Sequence, residues 1–481
     1  MRRATEIVLA LTVVGVTLAF GGVQPLTYSL MEIAVFAVFV AVLVWQARQG
    51  QIQLAIPLWP VLFVLLVILQ MVPLPAGLIS AIDRARLPPA AIASIEHTAG
   101  HALPISIYSH DTLLALIEFL AYLGAFVLAA YVFDSRRRNS VLVRTLIFLG
   151  LFEAAYGIVQ YLTGWQKIFT YKKVFYTESA TGTFINHDHF AGFLELTFPF
   201  ALGTIFYYFQ IWRDGHRRGP ARVDPATASS AGVQSLFYAF LLIVSVVAVI
   251  FSRSRTGTFA TLFTIIFIGL LAQLKTRQKT WLLGLAAFVL IAVGYGLWIG
   301  LNPVLSRFAM FEGGSKYLEA EGRLPTWRST YEIVRHHPFT GIGLGTFTYG
   351  FPHFQTYYVT LYYTHAHSDY LELLAETGWL GALLLFVPIF VLLILMVRSF
   401  LTDTRRYRPA VTLGCIGSTV ALLIHSVADF NLHIPANALV FAVMLGIGYK
   451  AACIERRDEG AKAAAGHPAV SGRVPRKSGV S

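Results

Sequence analysis

Four polar segments, set between long apolar blocks, carry the residue types able to grip an anion and move a proton. The first is Phe251-Ser252-Arg253-Ser254-Arg255-Thr256-Gly257, a short turn with two arginines ahead of an apolar run. Free N–H groups and the positive dipole end at a helix start favour an anion, and Ser254 or Thr256 can cap that helix. Arginine beside a helix N-terminus makes a phosphate site. The alternative for Arg253 and Arg255 is snorkelling toward lipid headgroups.

The second segment runs from Glu321-Gly322-Arg323-Leu324-Pro325-Thr326-Trp327-Arg328 to His336-His337-Pro338. Pro325 suits a first helical turn, and Leu324, Trp327, Tyr331 and Val334 share one face, which predicts an amphipathic helix lying on the outer face of a membrane. Arg323 then stands at its start, poised for an anion, with Arg328 further along. The third segment is Thr364-His365-Ala366-His367-Ser368-Asp369, running into an apolar helix. His367 sits at the mouth, where an imidazole of ordinary pKa about 6.5 can accept a proton, and His365 and Asp369 flank it as substrate contacts. The fourth, Ala180 to Gly192, offers Asn186, His187, Asp188 and His189. These side chains either hydrogen-bond sugar hydroxyls or cap the helix that follows.

No metal is expected. His187, His189, His353, His365 and His367 are candidate ligands, but no His-Glu-x-x-His or paired-Cys spacing occurs. Gly341-Ile342-Gly343-Leu344-Gly345 has no preceding strand and reads as tight turning rather than a nucleotide loop.

The elements positioning these segments must be membrane spans. Of 481 residues, 56% are hydrophobic and 13% charged, and the apolar residues fall in blocks near the roughly 20-residue length that crosses a bilayer. A soluble fold is excluded, and the net charge of +12 reports topology rather than nucleic-acid binding. Cys415 and Cys453 both lie in apolar stretches, so no disulfide framework exists. The expected fold is an all-α polytopic membrane protein with about twelve spans, at 6–22, 27–45, 54–72, 111–132, 141–163, 188–209, 233–251, 257–274, 280–299, 373–397, 409–427 and 435–453. The first is read as an uncleaved helix, because Gly21-Gly22-Val23-Gln24-Pro25 offers no small-x-small cleavage site.

With both termini cytoplasmic, the inside segments and adjoining helix ends hold 25 of the 37 Lys and Arg, as the positive-inside rule asks. Twelve of the fourteen histidines fall at the outer ends, which directs the chemistry to that face. The expected organisation is spans one to nine over 1–300, with an outer loop at 73–110 and a cytoplasmic loop at 210–232. A large outer loop at 301–372 carries amphipathic helices, three spans follow over 373–455, and 456–481 is a disordered cytoplasmic tail. Long outer loops are where soluble-side chemistry tends to reside.

Together these residues resemble the O-antigen ligase and O-antigen polymerase superfamily, which includes protein O-oligosaccharyltransferases. The resemblance rests on Ser254-Arg255-Thr256-Gly257 opening a span, on Gly322-Arg323 and Trp327 before His337-Pro338 and Gly341-Ile342-Gly343, and on His367 with ten residues between it and Gly378. It covers roughly 180–400, and the twelve-span layout extends it over most of the chain. It implies a GT-C-like architecture in a bacterial inner membrane and a site facing the periplasm. It also implies metal-independent transfer, without cofactor, of a glycan from an undecaprenyl-diphosphate carrier. The acceptor is lipid A core for a ligase, or another carrier-linked glycan for a Wzy-type polymerase. Catalytic roles fall to His367, Arg255 and Arg323.

Elementary chemistry fits that implication. A diphosphate is already a good leaving group, so the site needs cations more than a general acid. Each arginine can supply charge-assisted bonds of about 1.5–3 kcal/mol. Single displacement inverts the anomeric carbon. A glycosidase needs two opposed carboxylates, and Glu312, Glu319, Glu321 and Asp369 show no such pairing by sequence. A lipid-linked oligosaccharide flippase or other transporter is the rival class; it calls for ionisable residues inside spans, where the chain offers chiefly Glu118, Glu153 and Glu195.

Overall fold

A computed structural model of the chain describes residues 1–52, 54, 56–82, 102–134, 140–216, 223–278, 283–284, 323–357 and 362–455. Most of the expected span at 280–299, together with Glu312, Glu319, Glu321, Gly322 and the tail at 456–481, lies outside these residues, as do most of the outer loop at 73–110 and much of 301–372.

The described chain is mostly helical, with two short antiparallel strand pairs at Leu74–Pro75/Ala102–Leu103 and Lys167–Ile168/Tyr171–Lys172. Its principal helices are α1 (Arg2–Leu18), α2 (Pro25–Arg48), α3 (Leu58–Met71), α4 (Ser109–Val132), α5 (Val141–Thr163), α6 (His187–His216), α7 (Pro225–Ser252), α8 (Arg255–Thr276), α9 (Arg323–His336), α10 (Asp369–Thr402), α11 (Tyr407–His425) and α12 (Pro435–Tyr449). Among the described residues, nine helices are long and apolar enough to cross a membrane. Two expected spans are shorter: α1 has 17 residues and α3 only 14. Each stops where Gly or Pro punctuates the sequence, α1 before Gly21-Gly22 and α3 between Pro57 and Pro73.

The centre of the bundle is α6, α11 and α12, whose apolar windows are 83%, 89% and 78% buried, against 22% for α2. Helix α6 reaches this position by alternating Phe190, Phe193, Phe198, Phe200 and Phe206 with small residues. A methyl group added at Gly203 would overlap the Ala410 carbonyl, and one at Gly414 would strike the Phe200 ring. Small residues at these crossings let α6 and α11 approach closely enough for dispersion contacts to hold them in lipid.

Helix α10 is broken. Gly378 has φ 64° and ψ −173° in its middle, conformations closed to residues with a Cβ. The break makes room for the glycine-rich loop. Ile342 N–H donates to the Ala375 carbonyl at 3.0 Å, Gly343 N–H to that of Glu376 at 2.9 Å, and Trp379 N–H to that of Pro338 at 2.8 Å. From α3, the Gln70 amide donates to the carbonyls of Thr340 and Glu376 at 2.7 and 2.8 Å. Gly341, Gly343 and Gly345 all have positive φ, which is the tight turning the sequence called for.

Helix α9 packs a mixed face against the protein. Thr326, Ser329, Thr330, Ile333 and Val334 are buried against the protein, while Tyr331 is exposed. The Thr330 hydroxyl donates to the Thr326 carbonyl at 2.7 Å. Burying a hydroxyl satisfied this way costs little, so a threonine-rich stripe packs inward together with Val334, while Leu324 and Trp327 are half-buried.

Candidate functional site

The site begins at the corner of α6, α7 and α8. Helix α7 ends at Ser252, Arg253 takes a left-handed conformation with φ 63°, and Ser254 caps α8 by accepting the Gly257 N–H at 3.2 Å. The Ser252 hydroxyl accepts the Ser254 N–H at 3.1 Å, and His187 Nδ1 donates to the Ser252 carbonyl at 2.6 Å. The turn is therefore locked onto the start of α6. Asn186 caps α6, its side-chain oxygen accepting the Asp188 N–H at 2.8 Å. Arg255 is the first residue of α8 and is exposed. Arg253 is drawn to Glu178, at 2.8 Å across an exposed pair.

Arg323, at the start of α9, meets this corner through Asp188, its Nη2 lying 3.4 Å from the carboxylate; His187 Nε2 is 3.7 Å from the same oxygen. One turn along α9, the Trp327 indole N–H donates to the His367 carbonyl at 3.3 Å. His367 itself is left-handed, with φ 52°, an uncommon state for a residue with a Cβ. Its Nδ1 is buried without a hydrogen-bond partner. Burial first, then the Arg323 guanidinium and His365, lower its pKa to about 4. The imidazole is therefore neutral at pH 7, with a nitrogen open to a proton.

Phe430 organises the rest. His365 stacks on it at 4.3 Å and 15°, while His367 and His189 meet it edge-on at 5.1 and 4.6 Å. On one side of this ring lie His365, Glu372, His433 and Asp369. The His365 Nδ1 is 2.8 Å from Glu372 Oε1, and His433 reaches Asp369 through Nδ1 at 3.0 Å and Glu372 through Nε2 at 3.3 Å. Burial alone would lower the His433 pKa, but Glu372 and Asp369 hold it up to about 10. Asp369 is turned inward: it accepts from the Ser426 hydroxyl at 2.7 Å and the Leu432 N–H at 3.2 Å.

On the other side, beneath Asp188, runs a fully buried polar chain. His425 Nδ1 is 3.1 Å from Glu195 and its Nε2 3.8 Å from Asp429, which also lies 3.8 Å from His189 Nε2 and accepts the Asn431 amide at 3.0 Å. Burial, then Asp188, raise the Asp429 pKa to about 7. The sequence singles out Glu195, and His425 only as one of the twelve outer-end histidines; it does not single out Asp429, Asn431 or Asn437. A visible signal was there: Asn437, polar in an otherwise apolar helix, donates to the His189 carbonyl at 3.0 Å.

Of the residues singled out from sequence, the structure thus gathers Asn186, His187, Asp188, His189, the Ser254 turn, Arg323, His365, His367 and Asp369 at one end of the bundle. Arg328 sits exposed on α9. The three intramembrane acids each have a neighbour: Glu118 takes the Tyr122 hydroxyl, Glu195 His425, and Glu153 the Thr183 N–H and hydroxyl at 2.8 and 2.7 Å. That last contact fixes the Thr181–Thr183 turn ahead of α6.

Fold and site together define a multi-pass helical membrane protein with a polar, imidazole-rich centre at one end. Residues 240–386 match a family model described as O-antigen ligase. The matched stretch contains Ser254, Arg323, His367 and Gly378, and it supports the O-antigen ligase and polymerase superfamily for this chain. No curated protein matches the chain.

Proposed function

We propose that the protein is an inverting glycosyltransferase of the O-antigen ligase type. In this reading it moves a glycan from an undecaprenyl-diphosphate carrier to an acceptor hydroxyl, on the periplasmic side of a bacterial inner membrane, with both termini cytoplasmic. The observation that carries the proposal is the meeting of Arg323, Asp188 and the unpartnered Nδ1 of buried, neutral His367. Arg323 and Arg255 hold the diphosphate, Arg323 exchanging its long contact to Asp188 for phosphate oxygens. His367 takes the proton of the acceptor hydroxyl as that oxygen bonds to the anomeric carbon and the carbon–diphosphate bond breaks. The carrier leaves as an anion stabilised by the guanidinium groups, and His367 later returns its proton to solvent. Arg253, Ser254, Arg328, Asn186, His187, His189 and His365 shape the surrounding mouth, within a GT-C-like arrangement of spans.

Lipid A core as acceptor makes the protein a ligase, and a second carrier-linked unit makes it a polymerase. The deciding experiment reconstitutes the full chain in vesicles with a carrier-linked oligosaccharide and both acceptors in competition. A new glycosidic bond with release of undecaprenyl diphosphate is expected, and the favoured acceptor identifies the branch. Translocation of the carrier with no bond formed would instead make the protein a flippase.

A further inference from the structure

The cluster beside His367 has a geometry that the transfer reaction leaves unused. His365 Nδ1, Glu372 Oε1 and His433 Nε2 converge within 4.8 Å of one another, with Glu372 Oε1 at 2.8 Å from His365 Nδ1 and 3.3 Å from His433 Nε2. Ligand atoms bound at 2.0–2.2 Å around a tetrahedral ion lie about 3.3–3.6 Å apart, so opening the 2.8 Å pair slightly, with small adjustments of the imidazoles, would admit one. Each donor is oriented from behind. The Ala366 N–H holds Glu372 Oε2 at 2.7 Å, turning Oε1 inward. Asp369 receives His433 Nδ1 at 3.0 Å, the carboxylate–histidine arrangement that leaves Nε2 to a metal. Phe430 stacks flat on His365 and fixes its ring. The donors come from three separate places: the loop before α10, its first turns, and the turn before α12. Alongside them is a cavity of about 310 Å³ whose lining includes His365, His433, Asp369 and Glu376, space for a fourth, exchangeable ligand.

We infer that His365, Glu372 and His433 form a binding site for a divalent transition metal of the zinc class. Two imidazoles and one carboxylate with an open position suit that class over magnesium or calcium, which demand more oxygen donors. This runs against the expectation of no metal, which rests on local spacing; His433 lies too far along the chain for any short motif to join it to His365. The ion would tie the segment carrying His367 to the turn before α12, acting as a positioning element rather than touching the transferred sugar. The rival occupant of the same gap is a proton on His433 Nε2, shared with Glu372, while Nδ1 keeps its own bond to Asp369.

Cobalt distinguishes the two without reference to glycan transfer. The full-length protein, purified in detergent and stripped with chelator, is titrated with Co²⁺ and read by visible d–d absorption and by elemental analysis after desalting. The proposal expects one equivalent of cobalt, displaced by Zn²⁺, with Glu372→Gln abolishing the bands and Asp369→Asn weakening binding about 10- to 100-fold. Wild-type protein that takes up no stoichiometric cobalt overturns the metal and leaves the shared proton; so does equal uptake by wild type and Glu372→Gln, which would put the ion elsewhere. Because the wild-type titration needs no variant, a misfolded mutant cannot obscure the result. The transferase reading can stand or fall independently.

Discussion

The two ends of the bundle use charge in opposite ways. At the end away from the histidines, ionic groups close helix termini. Glu6 accepts the Ser140 hydroxyl at 3.0 Å and the Val141 N–H at 2.6 Å, Lys275 donates to the carbonyls of Phe400 and Asp403 at 2.6 and 2.7 Å, and Arg408 pairs with Asp403 and with Glu455. At the histidine end, charges face one another across loops. Among the described residues, the titratable side chains with a buried atom lacking a hydrogen bond, Glu195, His367, His425 and Asp429, are all there. Such atoms cost about 1–3 kcal/mol each when unsatisfied, a cost that stability alone does not explain and that chemistry, water or an ion does.

The sharpest way to break this contrast is His367→Ala. It is expected to lower glycan transfer by about 10²–10⁴ in reconstituted vesicles while leaving the detergent melting curve in place. Arg323→Ala should behave alike, and Arg323→Lys should rescue it only partly, because a point charge cannot copy the planar fork. Arg408→Ala is the mirror case. Stranding Asp403 in its buried pair should cost about 3–5 kcal/mol of stability, read by thermal unfolding, with transfer per folded molecule unchanged. Asn186→Ala removes the cap of α6 and should cost about 1 kcal/mol, with a smaller loss of transfer through displacement of Asp188. Arg253→Ala removes an exposed pair worth at most about 1 kcal/mol; a transfer defect as deep as that of Arg323→Ala would show that Arg253 also meets the diphosphate.

Much of this was legible in the chain before any coordinates, because lipid imposes long apolar blocks and forces polar groups to the ends. Among the described residues, nine of the expected spans follow that rule at full length. Arg323, His367 and the Ser254 turn were readable for the same reason, being polar residues in short segments where solvation is dear. What escaped reading depends on contacts between distant parts of the chain. Glu195 finds His425 only because α6 and α11 pack through Gly203 and Gly414, and Glu372 finds His433 only because the chain returns after α11. The threonine-rich part of the inward face of α9 escaped for another reason: threonines that satisfy their own hydroxyls look polar in sequence and behave as apolar in packing.

The break at Gly378 has a mechanical consequence. The half-helix above it presents Asp369, Glu372 and Glu376, while its last carbonyls are stitched to the loop at 342–343 and that loop is pinned by Gln70 of α3. Loop and acids therefore share one degree of freedom. Motion of α3 at Gln70 would thus reach the carboxylates through that loop.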